Sequence, residues 1–265
     1  MRAEGPGTTL MRTGRRTLVS DVDGTLLDAG SPGAGAARLG ERLRAADAAL
    51  VLSSGRGLEL SLEAAAVLEG GGLPRPAGLV CGVGTQIYLW DGGRYVPDAV
   101  WRDQLAASGF DAEAVRRALA PVPGLEPQPP EADNAFKVSF FVEPRPDVDQ
   151  VVADARAALE DAAVPARTVY SAGRYVDVLA PNASKGSALV HLSGRYGLSG
   201  HDVVATGDSG NDRELLMTAA AEGMVAVLVA NHEPEMSDMR SVRGVVLAEG
   251  RHCLGVLEGL DAAGW

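Results

Sequence analysis

The chain has 265 residues, 46% of them hydrophobic, and carries 24 Lys and Arg against 35 Asp and Glu for a formal net charge of −11. That length and apolar content are enough for a core domain bearing a smaller one. The acidic balance argues against nucleic-acid binding, which rests on clustered Lys and Arg that release counterions, so any phosphate bound here must be held by local groups.

Residues 1–16 include basic side chains but no apolar stretch long enough for a signal peptide. They read as a disordered extension, with Met11 as a second candidate start. No later run approaches a membrane-spanning length, so no membrane partner is expected. Cys81 and Cys253 are far apart and lack metal-ligand spacing. A reducing cytoplasm is the expected compartment.

From Thr17 the apolar run TLVS enters DVDGTLL, with Gly24 supplying a turn, and a helix follows over roughly Ala34 to Asp47. The strand in ALVLSSGR and a helix over Leu58 to Leu68 repeat this pattern. Strands alternating with helices predict an α/β fold with a parallel sheet covered on both faces.

After GLVCGVGTQIYLW the character changes. TQIYLW, GGRYVPD, a helix at Ala112 to Leu119, FKVSFFVE, a helix at Val148 to Leu159 and RTVYSAGRYVDVL predict an α+β module inserted at 85–180. The Pro-rich stretch Pro121 to Pro130 reads as a surface loop. The parallel pattern resumes over 181–265 with a helix from Lys185, the strand DVVATGD, a helix after Asn211 and the strand MVAVLVA, so that 17–84 and 181–265 form one core.

Asp21 and Asp23 stand two apart at the carboxyl end of a buried strand, the side on which open α/β sheets place ligands. Such a pair can divide labour, Asp21 attacking phosphorus and Asp23 passing a proton to the leaving oxygen. Asp208 and Asp212 in GDSGND add carboxylates of the hard type that Mg2+ prefers. Ser54 in SSGR and Lys185 in NASKGSALV, each at an element end, are candidates to hold phosphate oxygens. In isolation either is equally a turn serine or a solvated lysine. Gly55, Arg56 and Asn211 adjoin these groups as candidate substrate contacts.

The order Asp21/Asp23, Ser54, Lys185, Asp208/Asp212 resembles the four motifs of the haloacid dehalogenase superfamily over nearly the whole chain from Thr17. The resemblance implies a Rossmann-like parallel-sheet core and a Mg2+-dependent phosphatase. In it Asp21 is the nucleophile, Asp23 the acid/base, and Ser54 and Lys185 the phosphate holders. Asp208, Asp21 and the Asp23 carbonyl hold the metal, with Asp212 a direct or supporting ligand. It further implies that the insert is a cap. The thirty or so residues between Asp23 and Ser54 leave no room for one in the other location, which argues against the β-phosphoglucomutase branch.

KVSFFVE, YVDVLAPNASKGSAL, VANHEPEM and GVLEGL resemble sucrose-phosphate phosphatases, implying a phosphorylated disaccharide such as sucrose 6-phosphate as substrate. Ser54 stands where threonine is usual, and GTQIY where an acidic residue precedes the tyrosine. Gln86, Tyr88, Lys137 and Arg174 are candidates for sugar contacts or for strand packing. A phosphosugar mutase of the phosphomannomutase type and a non-catalytic phosphosugar binder are the alternative functions.

Overall fold

The structure, a computed structural model, describes residues 11–143 and 145–265. In chain order β1 (Thr17–Ser20) leads through a small hairpin of β2 (Leu27–Asp28) and β3 (Ser31–Pro32) to α1 (Ala36–Ala45), β4 (Ala49–Ser53), α2 (Leu58–Gly70) and β5 (Gly78–Cys81). Then come β6 (Gln86–Trp90), β7 (Tyr95–Pro97), α3 (Ala99–Ala106), α4 (Ala112–Leu119), β8 (Leu125–Pro127), β9 (Lys137–Val142) and α5 (Val148–Asp161). The chain closes with β10 (Arg167–Ser171), β11 (Tyr175–Leu179), α6 (Lys185–Tyr196), β12 (Val203–Gly207), α7 (Arg213–Ala221), β13 (Val225–Leu228), β14 (Val245–Leu247) and α8 (His252–Ala263).

Eight strands form one sheet in the order β14-β13-β12-β1-β4-β5-β6-β7, parallel from β14 through β5. Alternation along its strands fills two cores. Leu18, Leu50, Leu52 and Val204 face one layer of helices, while Val19, Val51 and Ala205 face the other. Each fully buried Leu contributes about 2 kcal/mol relative to exposure. β1 and β12 are in register, Ser20 beside Thr206, and the Thr206 hydroxyl donates to Ser20 Oγ at 2.7 Å. Asp21, one residue on, and Asp208, two residues on, therefore leave the same edge of the sheet side by side.

A second, antiparallel sheet, β10-β11-β9-β8, lies over that edge. Its strict alternation buries Val138, Phe140, Val142, Val176 and Val178 against α4 and α5. The opposite phase turns Lys137, Ser139, Tyr175 and Asp177 toward the core sheet, where Lys137 and Asp177 meet as an ion pair.

Three expectations change. Gln86–Trp90 and Tyr95–Pro97, assigned from sequence to the inserted module, extend the core sheet instead. β6 folds back on β5 through a tight turn at Gly82–Gly84, and hairpins preserve sheet membership although the pattern turns antiparallel. The Pro121–Pro130 loop contains β8, an edge strand on which Pro127 needs no ladder donor. The expected extension is ordered over 11–16. Met11 is 3% exposed within the core, and Gly14 N–H donates to the Tyr196 carbonyl. Residues 1–10 lie outside the described residues. The sequence reading also left out α3, which Asp98 caps and Trp101 ties down by donating from Nε1 to the Gly84 carbonyl.

Candidate active site

The loop after β1 carries Asp21, Asp23 and Thr25. Gly24 has φ of 80° there, and a Cβ on it would fall 2.1 Å from Asp208 Oδ2, so only glycine allows the loop and Asp208 to approach this closely. The Gly24 carbonyl is held from behind by Asn231 Nδ2 at 2.7 Å and His252 Nδ1 at 2.9 Å. Neither residue was singled out from sequence. Asn231 acts from a loop and His252 from the start of α8, both late in the chain and brought near only by the fold.

Lys185 opens α6, whose first turn is fixed by a capping box between Ser184 and Ser187. Its side chain is fully buried, and Nζ donates at 2.6 Å to both Asp21 Oδ1 and Asp212 Oδ1. The other Asp212 oxygen accepts the backbone N–H groups of Asp208 and Ser209, each at 3.1 Å. Both Asp212 oxygens are thus engaged, one by Lys185 and one by the backbone of the Asp208 loop. Asp21 Oδ2 accepts no hydrogen bond among the described residues. Asp208 takes one from Thr25 Oγ1 at 3.2 Å.

One oxygen of each of Asp21, Asp208 and Asp212 lies within 4.8 Å of the other two. Burial first, then the neighbouring carboxylates, push Asp21 up to about 7 and Asp208 up to about 9 from the usual 3.8. Burial opposes the Lys185 charge, yet Asp21 and Asp212 more than offset it and hold its pKa above the ordinary value. When all ionise, three carboxylates against one ammonium leave two negative charges, which a divalent cation would balance. An all-oxygen, buried and electrostatically frustrated set of this kind fits Mg2+.

Around this floor opens a cleft of about 770 Å³, walled on one side by the core loops and on the other by the second sheet. Ser54 lies buried at its edge, its Oγ accepting the Arg56 N–H at 3.1 Å, and Gly55 lines the wall. Asn211 Oδ1 is buried at the cleft with no hydrogen-bond partner among the described residues, a position at which buried polar atoms find a ligand or water. Asp23 is exposed and gripped on both oxygens by Arg56.

Across the cleft Lys137 Nζ lies 3.2 Å from Asp177 Oδ1, which also accepts the Ser139 hydroxyl at 2.7 Å. Lys137 reaches the Gly55 carbonyl at 3.4 Å. Asp177 was missed from sequence although its signal was present, because an aspartate between Val176 and Val178 must face away from the apolar layer.

Of the candidate sugar contacts, Lys137 lines the cleft while Gln86, Tyr88 and Arg174 do not. Tyr88, on β6, packs against the core, and Arg174 stacks over the Phe141 and Tyr175 rings at 5.0 and 5.2 Å. Gln86 went with its strand to the core sheet. Glu131, Tyr175 and Glu233 line the cleft in addition.

This chain is similar to a mannosylfructose-phosphate phosphatase of Agrobacterium fabrum, 30% identical over 80% of this chain and 81% of that protein. A probable sucrose-phosphatase of Arabidopsis thaliana is 31% identical over 89% of this chain. The chain spans 53% of that plant protein's length. Among solved structures, the sucrose-phosphatase of Synechocystis sp. PCC6803, in complex with sucrose and phosphate, superposes with a TM-score of 0.80 at 25% identity, covering 94% of this chain and 98% of that one. A haloacid dehalogenase-like hydrolase of Bacillus subtilis shares the fold at a TM-score of 0.63 and 16% identity, over 95% and 92% of the two chains. Residues 14–262 match the family described as sucrose-6F-phosphate phosphohydrolase, and the chain belongs to that family.

Proposed function

We propose that this sugar phosphatase hydrolyses a phosphorylated disaccharide, with sucrose 6-phosphate or a close relative as substrate, through an aspartyl-phosphate on Asp21. The observation that carries the reading is the cleft itself. Its floor is the buried carboxylate and lysine cluster, its far wall holds the Lys137–Asp177 pair, and its volume of about 770 Å³ lies within the range of about 300–1,000 Å³ usual for small-molecule sites. The names of the relatives support the disaccharide.

Asp21 Oδ2, the oxygen that Lys185 leaves free, attacks phosphorus while Oδ1 stays pinned, so the nucleophile is already aimed. Lys185 and the Ser54 hydroxyl face the phosphoryl oxygens. Mg2+, bound by Asp21 and Asp208 with Asp212 behind them, would supply charge neutralisation between the anionic nucleophile and the anionic substrate. Asp23 delivers a proton to the leaving sugar oxygen and takes one from the water that hydrolyses the acyl phosphate, a contribution of about 10²–10⁴-fold. The second sheet acts as a cap, and Lys137 with Asp177 recognises sugar hydroxyls.

The test is phosphate release from sucrose 6-phosphate, mannosylfructose phosphate and glucose 6-phosphate, with Mg2+ and with excess chelator, in wild type and Asp21→Asn. A disaccharide phosphate should be the best substrate and chelator should abolish turnover. Asp21→Asn should lose at least about 10³-fold with the fold intact by circular dichroism. Activity of Asp21→Asn within tenfold of wild type overturns the mechanism, and equal rates on all three sugars overturn the substrate class.

A further inference from the structure

Arg56 holds Asp23 by two parallel hydrogen bonds, Nε to Oδ2 at 2.7 Å and Nη2 to Oδ1 at 2.6 Å. Both Asp23 oxygens are thereby engaged by the guanidinium as acceptors. Asp23 is nevertheless the group that the proposed function, on which this inference rests, requires for proton transfer. We propose that Arg56 is a positioning residue that masks Asp23 until the sugar of a bound substrate draws the guanidinium away, so that proton transfer is coupled to filling the sugar side of the cleft.

Three observations support the exchange. First, the motion it needs is confined to one side chain. The Arg56 backbone is anchored at both its groups, N–H to Ser54 Oγ at 3.1 Å and carbonyl from Gly82 N–H at 2.8 Å, and among the described residues the guanidinium makes one further hydrogen bond, Nη1 to the Leu60 carbonyl at 3.3 Å.

Second, the pair is open to solvent, with side-chain exposures of 27% for Arg56 and 55% for Asp23, whereas Lys185 and Asp212 are at 0%. Exposed pairs are weak and screened, so an incoming polar ligand competes with this one but not with the buried pair.

Third, Arg56 stands where the sugar must pass. Gly55, the residue before it, touches Lys137 of the facing sheet through its carbonyl, and both Arg56 and Asp23 line the cleft. A planar fork of N–H donors suits the adjacent hydroxyl oxygens of a sugar as well as it suits a carboxylate.

Once released, the Asp23 carboxylate takes up a proton from solvent and gives it to the sugar oxygen as the bond from phosphorus to that oxygen breaks and the bond to Asp21 forms. It regains a proton from the water that then attacks phosphorus, giving orthophosphate and free Asp21. The net change is ester plus water to alcohol plus phosphate. A small phosphate ester that fills only the phosphate end leaves Arg56 on Asp23 and turns over slowly.

The experiment compares wild type, Arg56→Ala and Arg56→Lys on sucrose 6-phosphate and on glycerol phosphate, an alkyl ester with no ring to draw the guanidinium. In Arg56→Ala the preference for sucrose 6-phosphate, as the ratio of kcat/KM values, should fall by about tenfold or more, through a loss on the sugar and a gain on glycerol phosphate. Arg56→Lys keeps the charge without the two-point grip and should show the same gain with a smaller loss. A gain on one substrate does not come from a damaged fold. Proportional loss on both substrates, or an unaltered ratio, overturns the masking role while leaving the phosphatase reading in place. Absence of phosphate release by wild type from sucrose 6-phosphate overturns the reading beneath it.

Discussion

The two ends of the cleft are built on different physical terms. At the phosphate end Asp21, Asp208, Asp212 and Lys185 are all 5% exposed or less, and each is held by partners that are themselves buried. At the end proposed to take the sugar the Lys137–Asp177 pair is comparably buried, while Asp23 and Arg56 stand open to water. On the proposed function every candidate substrate presents the same phosphoryl group to this preorganised floor. The part that must discriminate is left weakly bound and exchangeable, which is where binding energy can be converted into selectivity.

The largest break in that comparison is Lys185→Met. Removing one member of a buried charge cluster leaves Asp21 and Asp212 unpaired, and about 3–5 kcal/mol of stability should go with it, read by urea denaturation. Turnover should fall at least about 100-fold, because the nucleophile loses its aim. A stable, active variant would show that the floor is not built on this lysine.

The corresponding change at the sugar end, Lys137→Met, is expected to be milder in kind. The KM for a disaccharide phosphate should rise by about tenfold, with much less effect on p-nitrophenyl phosphate. Equal losses on both would move Lys137 from recognition to folding. Tyr88→Phe should leave the ranking of sugar phosphates as it is, since Tyr88 packs against the core outside the cleft.

The smallest effect sharpens the electrostatic side. Asp21 and Asp208 have folded pKa values raised to about 7 and about 9 above the ordinary 3.8, so the fold binds their protons more tightly than the unfolded chain does. Their contribution is fully present below pH 3.8 and is lost as pH rises through the folded values. In chelator the melting temperature should therefore drop by a few degrees between pH 6 and pH 9, and Mg2+ should restore most of it at the alkaline end. A flat profile in chelator would mean that the carboxylates are not in conflict.

Much of the phosphate end was legible in the sequence because its determinants are local. An apolar strand, a residue pair two apart and a glycine turn each act within a few residues. They place Asp21, Asp208 and Lys185 at element ends wherever the strands lie in the sheet. The sugar end was less legible because it depends on pairings between distant segments. Gln86 and Tyr88 carry the same strand pattern whether β6 joins the core sheet or the insert, and only the hairpin with β5 decides it.

Composition, period and turn chemistry thus determined by themselves the α/β alternation, the inserted α+β elements and the aspartates at the strand ends. Tertiary structure alone decided that Asp212 turns both oxygens inward, that Asn231 and His252 brace Gly24, that Asp177 meets Lys137 across two strands, and that Arg56 folds onto Asp23. The physical reason is one of range. Strand phase and capping are settled by neighbours along the chain, whereas which charge meets which is settled by register and packing between segments that the sequence places up to 228 residues apart.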